Sequence, residues 1–504
     1  MANKNAADYI RRESGILLHP TSLPGPHGIG DLGADARSFV DFLAASGQRL
    51  WQVLPLGPTG YGNSPYAARS AIAGNPLLIS LDLLGKEGLL SPRELAEAPS
   101  FPSDRVDYEA VAAFKLPLLR LAHSRIVDGT VPEQQSPFRD FCLQNASWLE
   151  DFALFMALEE AHHGAPWQEW ESGAATRRPG ALEALRRDLA DAIDFHRFAQ
   201  FQFYRQWRVL KRYANDRAVR IIGDIPIFVA LQSADVWSRP ELFHLDDAGF
   251  PTLVAGVPPD YFSRTGQRWG NPLYRWNILE REHYGWWVDR FRAALTQVDL
   301  IRIDHFRGFQ AFWEVPASHK TAERGRWVEG PGETLFRAVE QQLGALPVIA
   351  EDLGLITPEV EALRLKLGYP GMKVLHFAFD SDARNPYLPH NYERRCVVYT
   401  GTHDNDTTLG WFQSRSARER AAILRYLGTD GSDMPWDLIR LAFASVADVA
   451  IVPLQDVLGL GTWARMNLPG QADGNWTWRL APGQLKPEHA DRLKELASTY
   501  GRGM

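Results

Sequence analysis

Eight short runs of aliphatic and β-branched residues, each ended by a turn or polar signal, constrain this chain's fold more than any other feature. They begin near Gly15, Leu50, Val219, Leu300, Val348, Lys373, Cys396 and Val449. Runs this apolar suit parallel strands covered on both faces, because a strand with one wet face alternates apolar and polar residues. Amphipathic helical patterns fill several gaps, including Ala34 to Ala45, Glu282 to Thr296 and Glu333 to Leu343. Strands and helices in alternation predict an α/β fold, a (β/α)8 TIM barrel with inserted, mostly helical subdomains. Periodicity leaves a doubly wound open sheet as the alternative.

At 504 residues the chain is longer than one ordinary core requires, so a single barrel over 1–504 must carry insertions. Two gaps are too long for plain connections. The first, 60–218, lies between the second and third runs. It has helical patterns from Tyr108 to Leu121, interrupted by Pro117, and from Trp148 to His162, and reads as a largely helical insertion. The second, 228–281, is rich in Pro, Gly and aromatics. It reads as an ordered loop over the barrel mouth, with 256–272 as an active-site lid.

Composition narrows the partners. The net charge of -7, with acidic and basic residues interspersed, argues against nucleic acid or an anionic membrane, which need clustered Lys and Arg. A neutral ligand fits better. Cys142 and Cys396 are the only cysteines, and Cys396 opens an apolar run, so a disulfide framework is not expected. Met1 to Ser14 is polar and no apolar run is long enough to span a bilayer, which points to the cytoplasm. The 17 Trp are unusual; most suit a large core, but Trp269, in a Gly/Pro-rich segment, suits packing against a sugar face.

Three of the runs lead into an acid: Asp304 after Ile303, Glu351 after Ala350, and Asp404 after Gly401-Thr402-His403. One such acid is equally well a helix N-cap. Three together, at the strand ends where barrels build their active sites, point to catalysis. Moving a glycosidic bond requires a carboxylate to attack the anomeric carbon and a carboxylic acid to protonate the leaving oxygen, roughly 5 to 5.5 Å apart in retaining enzymes. Asp304 and Glu351, on consecutive strands, suit those parts, provided Glu351 is protonated at rest. Arg302 shares a strand face with Asp304 and is placed to hold it ionised. Asp404 with His403 is placed to bind hydroxyls beside the reacting carbon. Metal-dependent hydrolysis through His305, His403, Asp304 and Asp404 is an alternative, although no His pair has helical ligand spacing.

The segments Ile301-Arg302-Ile303-Asp304-His305-Phe306-Arg307-Gly308, Ala350-Glu351-Asp352-Leu353-Gly354 and Thr402-His403-Asp404-Asn405 resemble the catalytic segments of the amylomaltases, or 4-α-glucanotransferases, of the α-amylase clan. The likeness covers nearly the whole chain, from Leu18-His19-Pro20-Thr21-Ser22 to Ala464-Arg465-Met466-Asn467 and Gly474-Asn475-Trp476. It implies that Asp304 is the nucleophile, Glu351 the general acid/base and Asp404 the transition-state stabiliser. It further implies α-1,4-glucan donors, glucose or malto-oligosaccharide acceptors, and no cofactor. Donor-side sugar contacts are carried over to Tyr66, Asp224, Arg302, His305, His403 and Asn467. Tyr261, Phe262 and Trp269 fall on a loop that covers the substrate, and Tyr61 and Tyr108 on aromatics that hold a long glucan away from the centre. A hydrolase with the same site and a non-catalytic glucan-binding homologue are the alternatives. Departures from the family pattern are Ala67-Ala68 after Tyr66, Gln232 where Asp is usual, and Trp463 where an acid is usual.

Overall fold

The computed structural model of the protein describes residues 9–259, 263–471 and 473–503. Its strands, in chain order, are β1 (Glu13–Leu17), β2 (Leu50–Gln52), β3 (Arg220–Pro226), β4 (Leu253–Val257), β5 (Gln267–Pro272), β6 (Leu300–Asp304), β7 (Ala311–Pro316), β8 (Arg326–Glu329), β9 (Val348–Ala350), β10 (Gly371–Val374), β11 (Cys396–Tyr399) and β12 (Val449–Pro453). The eight expected runs are β1, β2, β3, β6, β9, β10, β11 and β12. They form one sheet in the order β10-β11-β12-β1-β2-β3-β6-β9, and every ladder in it is parallel. The two ends of that order meet, because Ala350 N donates to the carbonyl of Pro370, just before β10, at 2.9 Å. The sheet is therefore a nearly closed barrel rather than an open one.

Burial explains the continuous apolar runs. Leu300, Ile301 and Ile303 of β6 are all fully buried, between the barrel interior and an outer layer of helices. That layer includes Ala34–Ala45, Gly285–Gln297, Gly332–Leu343 and Pro358–Leu367. The last is stopped by Gly368, whose φ of 71° places it in the left-handed region that ends helices.

Between β2 and β3 the chain is helical for most of its length, and the 26-residue helix Ala190–Asn215 lies against the barrel. Its Trp207 donates from Nε1 to Gln297 O at 2.7 Å. Two of its glutamines imitate a strand: Gln200 exchanges a pair of hydrogen bonds with the backbone of Gly74 (2.7 and 2.8 Å), and Gln206 does the same with Ser80. The loop that carries Tyr66 is thereby tied to a rigid helix. Helix Tyr108–Val127 continues through Pro117, which faces solvent, where water can satisfy the carbonyl that its ring leaves unpaired.

One expectation is corrected. The stretch 228–281, read as loop, contains β4 and β5, so residues 267–272 of the expected lid loop are strand. With β7 and β8, from a gap where no strand was expected, they form an antiparallel sheet in the order β5-β4-β7-β8. Local sequence hides it because β5 (Gln-Arg-Trp-Gly-Asn-Pro) has one buried residue and β8 (Arg-Trp-Val-Glu) none, and pairing across the sheet outweighs intrinsic preference. Gly256 is required at its centre, since a Cβ there would stand 2.4 Å from the carbonyl oxygen of Gln267.

The amino-terminal end of the barrel is laced by Arg502. Its fully buried guanidinium donates to the carbonyls of Phe443 (2.8 Å), Ala447 (2.8 Å), Glu13 (3.1 Å) and Asp448 (3.2 Å), joining the start of β1 to the approach to β12. Replacing Arg502 by Met removes these bonds, although Arg12 still reaches the carbonyls of Phe443 and Ala447 and Glu13 N–H still donates to Asp448 O. Urea unfolding should show a loss of about 1–3 kcal/mol, with kcat at 25 °C unchanged because the mouth lies at the opposite end.

Candidate active site

The parallel register sets the first contacts. Arg302 lies opposite Asp224 of β3, and alternation along β6 turns Arg302 and Asp304 to the same side. The guanidinium of Arg302 bridges two carboxylates, through Nη1 to Asp224 Oδ2 at 2.6 Å and through Nη2 to Asp304 Oδ1 at 3.0 Å. Tyr66 OH donates to the same Asp224 oxygen at 2.9 Å. Asp224 and Arg302 are buried, while the Asp304 side chain remains partly open to the mouth. Burial, with the charge of Asp304 adding to it, pushes Asp224 up to about 6 against the pull of Arg302.

Glu351 follows β9 directly. His305 takes a left-handed backbone conformation, φ 54°, and its N–H donates to Glu351 Oε2 at 2.6 Å; Leu353 N–H donates to Oε1 at 3.1 Å. These two bonds hold the carboxyl in place. Burial, and then the negative charge of Asp304, push Glu351 up to about 8, against Arg302 and the His305 N–H. Each carboxyl oxygen has two acceptor directions, so a proton fits beside the backbone donors. Glu351 therefore favours its protonated form at neutral pH, beside the ion pair of Asp304 with Arg302.

Asp404 sits on the turn after β11. Asn467 Nδ2 donates to its Oδ1 at 2.6 Å, His403 Nε2 lies 3.3 Å from Oδ2, and Arg465 donates to its backbone carbonyl at 2.6 Å. Removal from bulk water works against its charge, but His403 and Asn467 outweigh that and hold Asp404 at about 2. His403 is stacked on Tyr66, with ring centroids 5.0 Å apart, and Trp476 packs on both rings at 5.9 Å. Sequence reading placed Trp476 and Arg465 in motifs but gave them no part; only their place beside His403 and Asp404 reveals one.

The antiparallel sheet straddles the turn after Asp304. At one edge Trp269, 39% exposed, stands edge-on to His305 with centroids 4.8 Å apart. At the other, Trp327 lies under the guanidinium of Arg307, 3.9 Å from its ring centre. Burial, with Arg307 adding to it, lowers His305 to about 3, so the ring is neutral and one of its nitrogens keeps a proton to donate.

The remaining expected residues lie further out. Tyr61 is 79% exposed, whereas Tyr108 is buried, with its OH donating to Trp476 O at 2.9 Å. Tyr261 and Phe262 lie outside the described residues. Gln232 donates to Gln168 Oε1 at 2.8 Å and accepts from Trp167 N, so it ties the segment after β3 to the helical region. Trp463 projects into solvent, 64% exposed. Among the described residues no group of three or more His, Cys, Asp or Glu is arranged to hold a metal ion, and no helix is long and apolar enough to cross a membrane.

Comparison with known proteins agrees with this geometry. Residues 18–485 match the family model described as 4-alpha-glucanotransferase. A 4-alpha-glucanotransferase of Thermus thermophilus is 54% identical over 501 residues, spanning 98% of this chain and 99% of that protein. The chloroplastic/amyloplastic 4-alpha-glucanotransferase of Solanum tuberosum is 47% identical over 503 residues, covering 98% of this chain and 87% of its own length. An amylomaltase from Streptococcus agalactiae, solved in complex with acarbose, has the same fold with a TM-score of 0.95 at 39% identity, covering 98% of this chain and all of that one. A barrel with acids at its strand ends and likeness of this extent lead to one family: the chain belongs to the 4-alpha-glucanotransferases, glycosyltransferases acting on α-1,4-glucans.

Proposed function

We propose that the reaction is a retaining double displacement in which Asp304 is the nucleophile, Glu351 the acid and then the base, and Asp404 the stabiliser of the oxocarbenium-like transition state. The observation that carries this is the contrast between the two carboxyls: Arg302 lies 3.0 Å from Asp304, while burial beside Asp304 pushes Glu351 up to about 8. In the first half, Asp304 attacks C1 of the donor glucose as the C1–O4 bond breaks, and the Glu351 proton passes to the departing O4. In the second, Glu351 takes the proton from O4 of an acceptor, which attacks C1 and releases Asp304. One α-1,4 bond breaks, one forms, and neither water nor a cofactor is consumed.

The neighbours have assignable parts. Arg302 orients Asp304 and balances its charge. Asp404, held charged by His403 and Asn467, faces growing positive charge at C1. Tyr66, Asp224, His305, His403 and Asn467 supply hydrogen bonds to the donor sugar, and Tyr61 holds a long glucan further out. The acceptor is glucose or a malto-oligosaccharide; the acarbose bound by the Streptococcus agalactiae relative is consistent with a site for oligosaccharides. Trp269, beside His305, shields the glycosyl-enzyme from water and so favours transfer over hydrolysis.

Maltotriose supplied alone should become a ladder of longer maltodextrins with glucose as co-product; only glucose and maltose would mean hydrolysis. Asp304→Asn and Glu351→Gln should each lower kcat about 10³-fold. Since the first half needs protonated Glu351, kcat/KM should fall as pH rises through about 8, and a rate flat from pH 7 to 10 would contradict the acid assigned to Glu351.

Trp269→Ala should raise the ratio of hydrolysis to transfer several-fold in the same assay. An unchanged ratio would remove the shielding role.

A further inference from the structure

Asp456 is buried and takes no part in the chemistry above, yet it bonds to both ends of the Asp404 loop. It lies in the single helical turn Leu454–Val457 that follows β12, the strand paired with β11. Its Oδ2 accepts the hydroxyls of Thr400 at 2.6 Å and Thr408 at 2.7 Å, and its Oδ1 accepts Thr408 N–H at 2.7 Å. Thr400 follows β11 directly, and Thr408 opens the helix Thr408–Gln413. One carboxylate therefore grips both ends of the loop that carries His403 and Asp404.

The grip extends one residue further. His376 Nε2 lies 3.0 Å from the Thr408 hydroxyl, and its ring is stacked on Trp411 with centroids 4.7 Å apart. Because Thr408 gives its proton to Asp456, His376 must donate from Nε2. Inside the loop, Asn405 Oδ1 accepts both the N–H and the hydroxyl of Thr402 at 2.9 Å, a local turn that shapes the loop but does not anchor it to the barrel. The middle of the loop is held by Arg465 and Asn467 on Asp404 and by Thr462 on Asp406, and its two ends are anchored from neighbouring strands through Asp456 and His376.

We infer that Asp456 is a positioning residue: by clamping Thr400 and Thr408 it sets the loop between them so that His403 and Asp404 meet the donor sugar at the distance the transition state requires. This rests on the stabilising role proposed for Asp404. A buried carboxylate with three donors costs stability to desolvate, and a well-packed apolar side chain there would serve the fold as well. What such a side chain cannot do is fix both threonines at once. A displacement of a fraction of an ångström at Asp404 weakens stabilisation of the reacting carbon without unfolding the barrel.

The test is the inhibition constant of acarbose, the ligand of the Streptococcus agalactiae relative, measured with kcat, KM for maltotriose and melting temperature. Measured well below each variant's melting temperature, where the enzyme is folded, the inhibition constant is left unmoved by a merely structural role. Asp456→Ala should raise it tenfold or more and lower kcat more than it changes KM. Thr408→Val, nearly isosteric and milder should Asp456→Ala fail to fold, should raise it about fivefold. Thr408→Ser keeps the hydroxyl, and Asp456→Asn can turn its amide toward the two hydroxyls, so both should stay within threefold of the parent. Asp404→Asn is measured alongside. If it raises the constant while Asp456→Ala and Thr408→Val only lower the melting temperature, the clamp is overturned and the role of Asp404 stands. If Asp404→Asn leaves the constant unchanged, the role given to Asp404 fails and the inference fails with it.

Discussion

The site depends on one buried cation. Arg302 stands in the barrel interior and meets Asp224 at 2.6 Å on one side and Asp304 at 3.0 Å on the other. A guanidinium in such a place is costly unless it is paired, and its planar fork suits two carboxylates at once where an ammonium would suit one. The single positive charge cannot neutralise both partners together with a third acid. Burial, and then the negative charge of Asp304, favour a proton on Glu351. Glu351 and Asp304 thus differ in their surroundings, although both are carboxyls at the ends of adjoining strands.

Around that centre the fold removes freedom by separate devices. The left-handed turn at His305 aims a backbone N–H at Glu351, Asn467 and His403 hold the two oxygens of Asp404, and Tyr66 stacks between the two halves of the site while bonding to Asp224. The long helix Ala190–Asn215 fixes the loop of Tyr66 through two glutamines that act as backbone substitutes. The antiparallel sheet rests on the turn after Asp304 at both of its edges, through Trp269 and Trp327. These supports come from segments far apart in sequence and tie together a mouth that is mostly loop.

The barrel was legible because its strands are buried on both faces, so each appears as an apolar run whatever its neighbours are. The three acids were legible for the same reason, since they stand where those runs stop. The strands β5 and β8 were not, because one is Gln-Arg-Trp-Gly-Asn-Pro and the other Arg-Trp-Val-Glu, and their order comes from partners across the sheet. Arg302 could be placed on the correct strand face from alternation alone, but its second partner, Asp224, could not be paired with it from spacing, being 78 residues away. Trp476 and Arg465 were visible only as members of motifs, and Asp456 gave no local signal. Tyr108 is buried and its hydroxyl gives a bond to Trp476 O, while Tyr61 keeps an open ring.

The claim on which the account turns is that Glu351 carries a proton in the resting enzyme. A neutron crystal structure of the deuterated protein at pH 7 tests it most directly. The account predicts a deuteron on the carboxyl of Glu351. A bare carboxylate there would contradict it.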